Sequence, residues 1–286
     1  MDEQDVQQHI ELSRLGVLIL SDLHLGSLKA MLMPGFVGAD EVTHIPTPEQ
    51  AWLWKKFLAI LDHVADSKES VDEIVLNGDL LEGLNPSGRG RGLILHSIED
   101  QCLAMKRVLS ELTNRWPKVK MTFIFGTPYH ELPADVRMIM QGIVTPNNST
   151  DIYRFDYHGT RCLFKHQLST ASSNLTLLAK DAMAVCGANQ QWGWERPHLY
   201  VGSHVHNKQY GDGGVDDFKV IITPCFKLPD EFAKLRSPDK WTVPSLGATY
   251  LSIAGDSAVK EIGGERIIHK FLSFRAPAPT WTKVTK

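Results

Sequence analysis

Residues 16–21 (GVLILS) form an unbroken apolar run that stops at Asp22, the pattern of a buried strand handing the chain to a polar loop. Residues 72–77 (DEIVLN) and 119–125 repeat it, the first ending at Gly78-Asp79 and the second at Gly126-Thr127-Pro128-Tyr129-His130-Glu131. Between these strands the apolar spacing changes from two to between three and four, which predicts amphipathic helices. One runs from Thr47 through Val64, with Thr47 as N-cap, Pro48 in the first turn and Gln50 completing a capping box. The other runs over 97–116 and is closed by Pro117. A short helix is expected from Pro133.

Residues 152–155 and 161–164 then read as a hairpin turning at Tyr157-His158-Gly159 and leading to Lys165-His166. A helix is expected over 174–185, and 198–201 is a strand that ends at Gly202-Ser203-His204-Val205-His206. Residues 218–222, 249–253 and 265–274 read as antiparallel strands of one closing sheet before a Pro-rich tail. Residues 27–46 carry Pro34, Gly35, Gly38 and Pro46 and show no period, so they are expected to form an irregular insertion. No repeat or linker divides the chain. A single domain over 1–286 is expected, with the polar strand-end loops in 16–206 and a β-rich closing part in 207–286.

Composition narrows the function. With 286 residues, 43% of them hydrophobic, the chain can bury a large core. A net charge of -3 gives no general field for nucleic acid or an anionic membrane, so such a substrate would have to be gripped locally. Cys102, Cys162, Cys186 and Cys225 are far apart in sequence and form neither a disulfide framework nor a CxxC zinc pair. Neither a leader-like h-region nor a membrane-spanning run is present, and a soluble, cytoplasmic protein is expected.

The twelve histidines change the picture, because several gather at strand ends. Asp22 and His24, Asp79, His130, His166, and His204 with His206 each follow a short apolar strand. In alternating α/β folds such loops converge on one rim of the sheet. Two carboxylates and several imidazoles brought together there would repel or stay unsatisfied without a cation. Any one of these pieces alone is commonplace. The His204-x-His206 pair is stronger, since alternate residues of an extended segment point to one side.

In this order, Asp22-x-His24, Gly78-Asp79-x-x-Glu82, the 126–131 segment, His166 and Gly202-x-His204-x-His206 resemble the five motifs of the calcineurin-like metallophosphoesterase superfamily. The resemblance implies an α/β fold, a two-sheet sandwich flanked by helices in four layers. It implies one metal on Asp22, His24 and His206 and a second on His166 and His204, with Asp79 bridging. Hydrolysis of a phosphate ester by a hydroxide bridging the two ions would then follow, with no covalent intermediate. Mixed imidazole and carboxylate ligands suit manganese, the first choice here, or iron, zinc or nickel, and disfavour calcium and magnesium.

Two departures stand out. The family's Gly-Asn-His-(Asp/Glu) is replaced by a segment two residues longer that has no asparagine, and Ser203 lengthens the last turn by one residue. The His130-Glu131 end is retained, which implies that His130 contacts the scissile phosphate and protonates the leaving group, with Glu131 orienting it. Glu82 is expected to orient a ligand histidine. Arg89 and Arg91, in the Gly-rich loop after Asp79, are expected to bind substrate phosphate, with a solvated loop as the plain alternative. A phosphodiester is favoured, with a nucleotide or nucleic acid among the candidate phosphate-ester substrates. The alternatives are a phosphomonoesterase or nucleotide phosphatase, and a non-catalytic scaffold with a degenerate third motif.

Overall fold

In chain order the strands are β1 (Arg14–Leu20), β2 (Phe36–Val37), β3 (Thr43–His44), β4 (Glu73–Asn77), β5 (Lys120–Ile124), β6 (Asn147–Thr150) and β7 (Tyr153–Tyr157). They continue with β8 (Thr160–Phe164), β9 (Leu199–Gly202), β10 (Gln209–Asp212), β11 (Lys219–Ile222), β12 (Leu246–Ala254) and β13 (Ile267–Phe274). The helices are α1 (Pro48–Ala65), α2 (Ile98–Arg115) and α3 (Pro133–Met140). This computed structural model describes residues 14–86, 89–143, 145, 147–167, 195–212, 218–229, 244–256, 258–259 and 265–276. The helix expected over 174–185 and the Pro-rich tail lie outside them.

The first sheet has the order β13-β12-β1-β4-β5-β6 and the second the order β10-β11-β9-β8-β7. Strands β1, β4, β5 and β6 run parallel in the first, and β8, β9 and β11 run parallel in the second. Strand alternation then divides the apolar residues into layers. Val17, Ile19, Val75, Ile124 and Leu251 of the first sheet pack against Cys162, Phe164, Leu199, Val201 and Ile221 of the second. Leu18, Leu20, Leu76 and Phe123 face the other way, onto Leu53 and Phe57 of α1, Met105 and Val108 of α2 and Val136 of α3. The result is the expected sandwich of two sheets, with helices against the outer face of the first.

Helix α1 starts as its sequence predicts. The Thr47 hydroxyl accepts from Gln50 N at 3.3 Å and the Gln50 side chain accepts from Thr47 N at 3.0 Å. Such a cap is worth about 1 kcal/mol.

Two readings need correction, and one strand lies where the sequence carried no signal for it. The region 27–46 contains a small hairpin, β2 with β3, held where Ala39 N donates to Asp100 near the start of α2 at 2.7 Å. Residues 147–150 (NNST) form the parallel edge strand β6, although they lack any apolar alternation. The closing strands do not share one sheet: β11 runs parallel to β9 in the second sheet, while β12 and β13 extend the first. Strand partners are set by which core a buried face meets, and an apolar run reads the same in either sheet.

Cys102, Cys162 and Cys225 are buried free thiols. Among the described residues no helix is long and apolar enough to cross a membrane.

Candidate metal centre

The parallel strands β1, β4 and β5 of one sheet and β8 and β9 of the other end at a common rim, where their loops knit together. Asp22 N donates to Gly78 O at 3.0 Å, His24 N to Asp79 O at 3.0 Å, and Ser203 N to His166 O at 2.9 Å. Beneath them a buried chain of polar groups ties the two sheets. Ser21 Oγ meets Thr223 Oγ1 at 2.6 Å, Thr223 Oγ1 meets Ser203 Oγ at 2.8 Å, and Asn77 Nδ2 donates to Ser203 Oγ at 2.5 Å. The extra residue Ser203 is therefore part of this tie.

The close approach of these turns requires glycine at two places. Gly78 has φ +78°, and a Cβ there would lie 2.5 Å from His166 Nδ1. A Cβ on Gly126 would lie 2.2 Å from Asp79 N. Several of the presented residues are themselves left-handed: Asp22 (φ 49°), His24 (48°), Asp79 (49°), His204 (78°) and His206 (60°). That conformation is uncommon outside glycine and costs on the order of 1–3 kcal/mol per residue where nothing else favours it. Such strain gathers where a site demands a particular geometry. It also corrects the reading of His204-x-His206: the segment is a bend, and the two rings join different groups of residues.

Those groups are Asp22 with His24 and His206, and Asp79 with His166 and His204; within each, one candidate ligand atom per residue lies within 4.8 Å of the others. His24 Nε2 and His206 Nε2 are 3.0 Å apart, and His206 Nε2 is 3.4 Å from Asp22 Oδ1. His166 Nε2 and His204 Nδ1 stand 3.1 and 3.6 Å from Asp79 Oδ2. None of these approaches to the carboxylates is aligned as a hydrogen bond. Asp22 Oδ1, Asp79 Oδ2, His166 Nε2 and His204 Nδ1 are buried and, among the described residues, have no hydrogen-bond partner. Buried polar atoms are ordinarily satisfied, so four orphans facing one another fit divalent metal ions. Imidazole nitrogen mixed with carboxylate oxygen is the donor set of a borderline metal.

Electrostatics points the same way. Burial opposes ionisation of Asp79, yet His166 and His204 hold its carboxyl well below the usual range. Burial also opposes a charge on His166, but Asp79 and Asp22 overcome it and push the imidazole up to about 10. The carboxylates thus draw positive charge into the cluster. His24 is held well below its ordinary value by burial and by the nearby Lys227 ammonium.

The third segment is placed as follows. His130 joins His24 and Asp79 in a further close group, and its Nδ1 lies 2.8 Å from Glu82 O. Glu131 does not orient it, contrary to the expectation from sequence. Its buried carboxylate accepts from Gly126 N at 2.8 Å and Leu80 N at 2.9 Å, bracing the turns after β4 and β5. Burial and the Asp79 charge push Glu131 up to about 7. Thr127 donates to Asp79 Oδ1 from N at 2.7 Å and from Oγ1 at 3.0 Å, and leaves Oδ2 to the cluster. The Tyr129 hydroxyl is engaged by Asn85 at 2.7 Å. Glu82, expected to orient a ligand histidine, brings Oε2 within 2.9 Å of His24 Nδ1, an approach that is not aligned as a hydrogen bond. Arg89 and Arg91 have exposed side chains, and among the described residues neither bonds to the cluster.

Lys227 is the residue that sequence reasoning missed as part of the site: it follows an ordinary apolar stretch and carries no local signal.

No protein-family model matches the chain, and no curated protein matches it significantly. Among solved structures it is similar to a predicted phosphoesterase from Streptococcus pneumoniae, at 12% identity over 84% of this chain and 83% of that one, with a TM-score of 0.36. An archaeal phosphodiesterase is 10% identical over 90% and 99% of the two chains (TM-score 0.40). Zinc-bound Vps29 from Entamoeba histolytica is 8% identical over 90% and 99% (TM-score 0.41). These likenesses are too distant to carry an activity across. Two sheets packed face to face, with the five motif segments meeting along their shared rim, form the α/β sandwich that the resemblance of the motifs implies.

Proposed function

We propose that this chain is a metal-dependent phosphoesterase, acting on phosphodiesters from a single domain. The observation that carries the reading is the convergence of four buried, unpartnered ligand atoms, Asp22 Oδ1, Asp79 Oδ2, His166 Nε2 and His204 Nδ1, on one rim. In this reading Asp22, His24 and His206 hold one divalent ion and His166 and His204 a second, with Asp79 serving both; manganese is the first choice. Such ions supply acidification of a water and neutralisation of the phosphate oxygens.

The remaining steps belong to the protein. His204 and His206 have side chains 34% and 27% exposed, so the cluster is open on that side to an incoming ester. His130 keeps its Nδ1 hydrogen on Glu82 O, which leaves Nε2 to carry the proton delivered to the leaving oxygen. A retained acid of this kind matters most for the poor alkoxide leaving group of a diester, which is why diesters are favoured. Thr127 holds Asp79 by Oδ1, which would leave Oδ2 as the oxygen offered to a metal. Arg89 and Arg91 take the non-reacting phosphates of an extended substrate.

The test is turnover of an aryl phosphate, a bis-aryl phosphate, a nucleotide and single-stranded DNA after chelation and after adding back manganese. Activity is expected only with metal and higher on the diesters, and Asp79→Asn and His206→Ala should each lose bound ion. Undiminished turnover in excess chelator would sink the proposal. A protein that binds metal but turns over nothing in the panel would instead be a non-catalytic member.

A further inference from the structure

Residues 224–228 lie outside the five motifs and run beneath the first of them. Phe226 N donates to Asp22 O at 3.1 Å and Leu228 N donates to Lys29 O at 2.8 Å. Between these two anchors Lys227 turns inward, only 5% exposed, and its Nζ lies 2.9 Å from each oxygen of Glu82. Glu82 is equally buried, and its Oε2 is 2.9 Å from His24 Nδ1. The other nitrogen of the same ring, Nε2, is the atom that meets His206 and approaches Asp22. Three side chains from separate parts of the chain thus stand in line behind one candidate ligand.

A buried lysine and glutamate are expensive to desolvate, and an apolar pair of the same volume usually serves stability at least as well. The pair therefore calls for another explanation, and its geometry offers one. An imidazole that ligates through Nε2 must keep its hydrogen on Nδ1, and an acceptor behind it both selects that tautomer and fixes the ring plane. Glu82 Oε2, 2.9 Å from Nδ1, is the carboxylate oxygen placed for that task, but its approach is not aligned as a hydrogen bond, and a carboxylate on a loop can rotate. Lys227 contacts both oxygens and holds the plane of the carboxylate.

We infer that Lys227 is a positioning residue for the metal centre, clamping Glu82 so that His24 presents Nε2 to the ion shared with Asp22 and His206. The inference rests on the metal-dependent reading of the site. It also gives the segment after β11 a role that the motifs alone do not assign.

The experiment titrates cobalt(II) into chelated protein and reads stoichiometry and affinity from the absorption spectrum, with a thermal melt of each chelated variant alongside. Wild type should take up two ions. Lys227→Met should weaken one of them by about 10- to 100-fold, the usual effect of losing a partner behind a ligand, and leave the other unchanged. Because Lys227→Met strands a buried carboxylate and could fail to fold, the second variant combines it with Glu82→Leu. That apolar pair should melt no lower than wild type while the same ion stays weak, a separation that a merely structural role would not produce. Two ions bound with wild-type affinity by the folded double variant would overturn the inference while leaving the metal site standing. If wild type itself binds no ion, the metal-dependent reading falls and this inference with it.

Discussion

His130 and Glu131 are neighbours in sequence and do different work in the structure. The Nδ1 of His130 is held by Glu82 O, and the ring packs edge-on to His24 with centroids 4.5 Å apart. If His130 delivers the proton to the leaving oxygen, His130→Ala should keep both ions yet lower kcat by roughly 10²- to 10⁴-fold. The loss should be small for a nitrophenyl ester, which leaves without a proton, and large for an alkyl or nucleoside ester. Equal losses on both would assign His130 to phosphoryl-oxygen contacts instead. Glu131 is the bracing residue, and its buried carboxyl is pushed up to about 7 by burial and by Asp79. A carboxyl whose folded value lies above its unfolded one keeps its proton longer in the native state, so its contribution to stability falls as pH rises between about 4.5 and 7. Glu131→Gln cannot titrate. In chelator, urea unfolding should show the variant gaining on wild type by about 3 kcal/mol across that window. A constant difference between the two proteins would show that the carboxyl is not held protonated.

At the scale of elements, the site is a set of turns pressed against one another. Gly78 is where the β4 turn meets the β8 loop: a methyl group there would collide with the His166 ring, whose Nδ1 is 2.7 Å from Asn77 O. Gly78→Ala should therefore cost one ion, the one assigned to His166, and leave the other in place; metal analysis of the purified variant checks this. The loop after Asp79 is tied at its base, where Asn85 Nδ2 donates to Arg91 O at 2.8 Å and the Tyr129 hydroxyl reaches Asn85. Its arginine side chains are exposed, which suits contacts to the distant phosphates of a long substrate. Arg89→Ala with Arg91→Ala should raise KM for a single-stranded oligonucleotide and leave both metal content and a minimal aryl ester unaffected. An unmoved KM would make the loop a solvated connection.

At the scale of the molecule, the groups of Asp22, His24 and His206 and of Asp79, His166 and His204 each draw on both sheets. Asp22, His24 and Asp79 stand on the first, and His166, His204 and His206 on the second. Bound ions would therefore clamp the sandwich at its rim as well as serve chemistry. Metal at a hundred times its dissociation constant should stabilise the fold by about 2.7 kcal/mol per site, and chelation should speed amide exchange along β4 and β9 more than along the far helix α2. Exchange rates indifferent to metal would show that the sheets do not depend on the clamp. The sequence alone determined the strand-to-loop rhythm, the cap of α1, the extent of α2, the class of the fold and the residue types brought to the rim, because hydrophobic period and cap chemistry are local properties of the chain. Only the tertiary structure decided which sheet β11 joins, that the polar NNST forms an edge strand, that Glu131 faces inward, and that Lys227 stands behind His24. Each of these depends on what a side chain meets across a distance in sequence, where a lysine destined for a buried carboxylate reads the same as one destined for water.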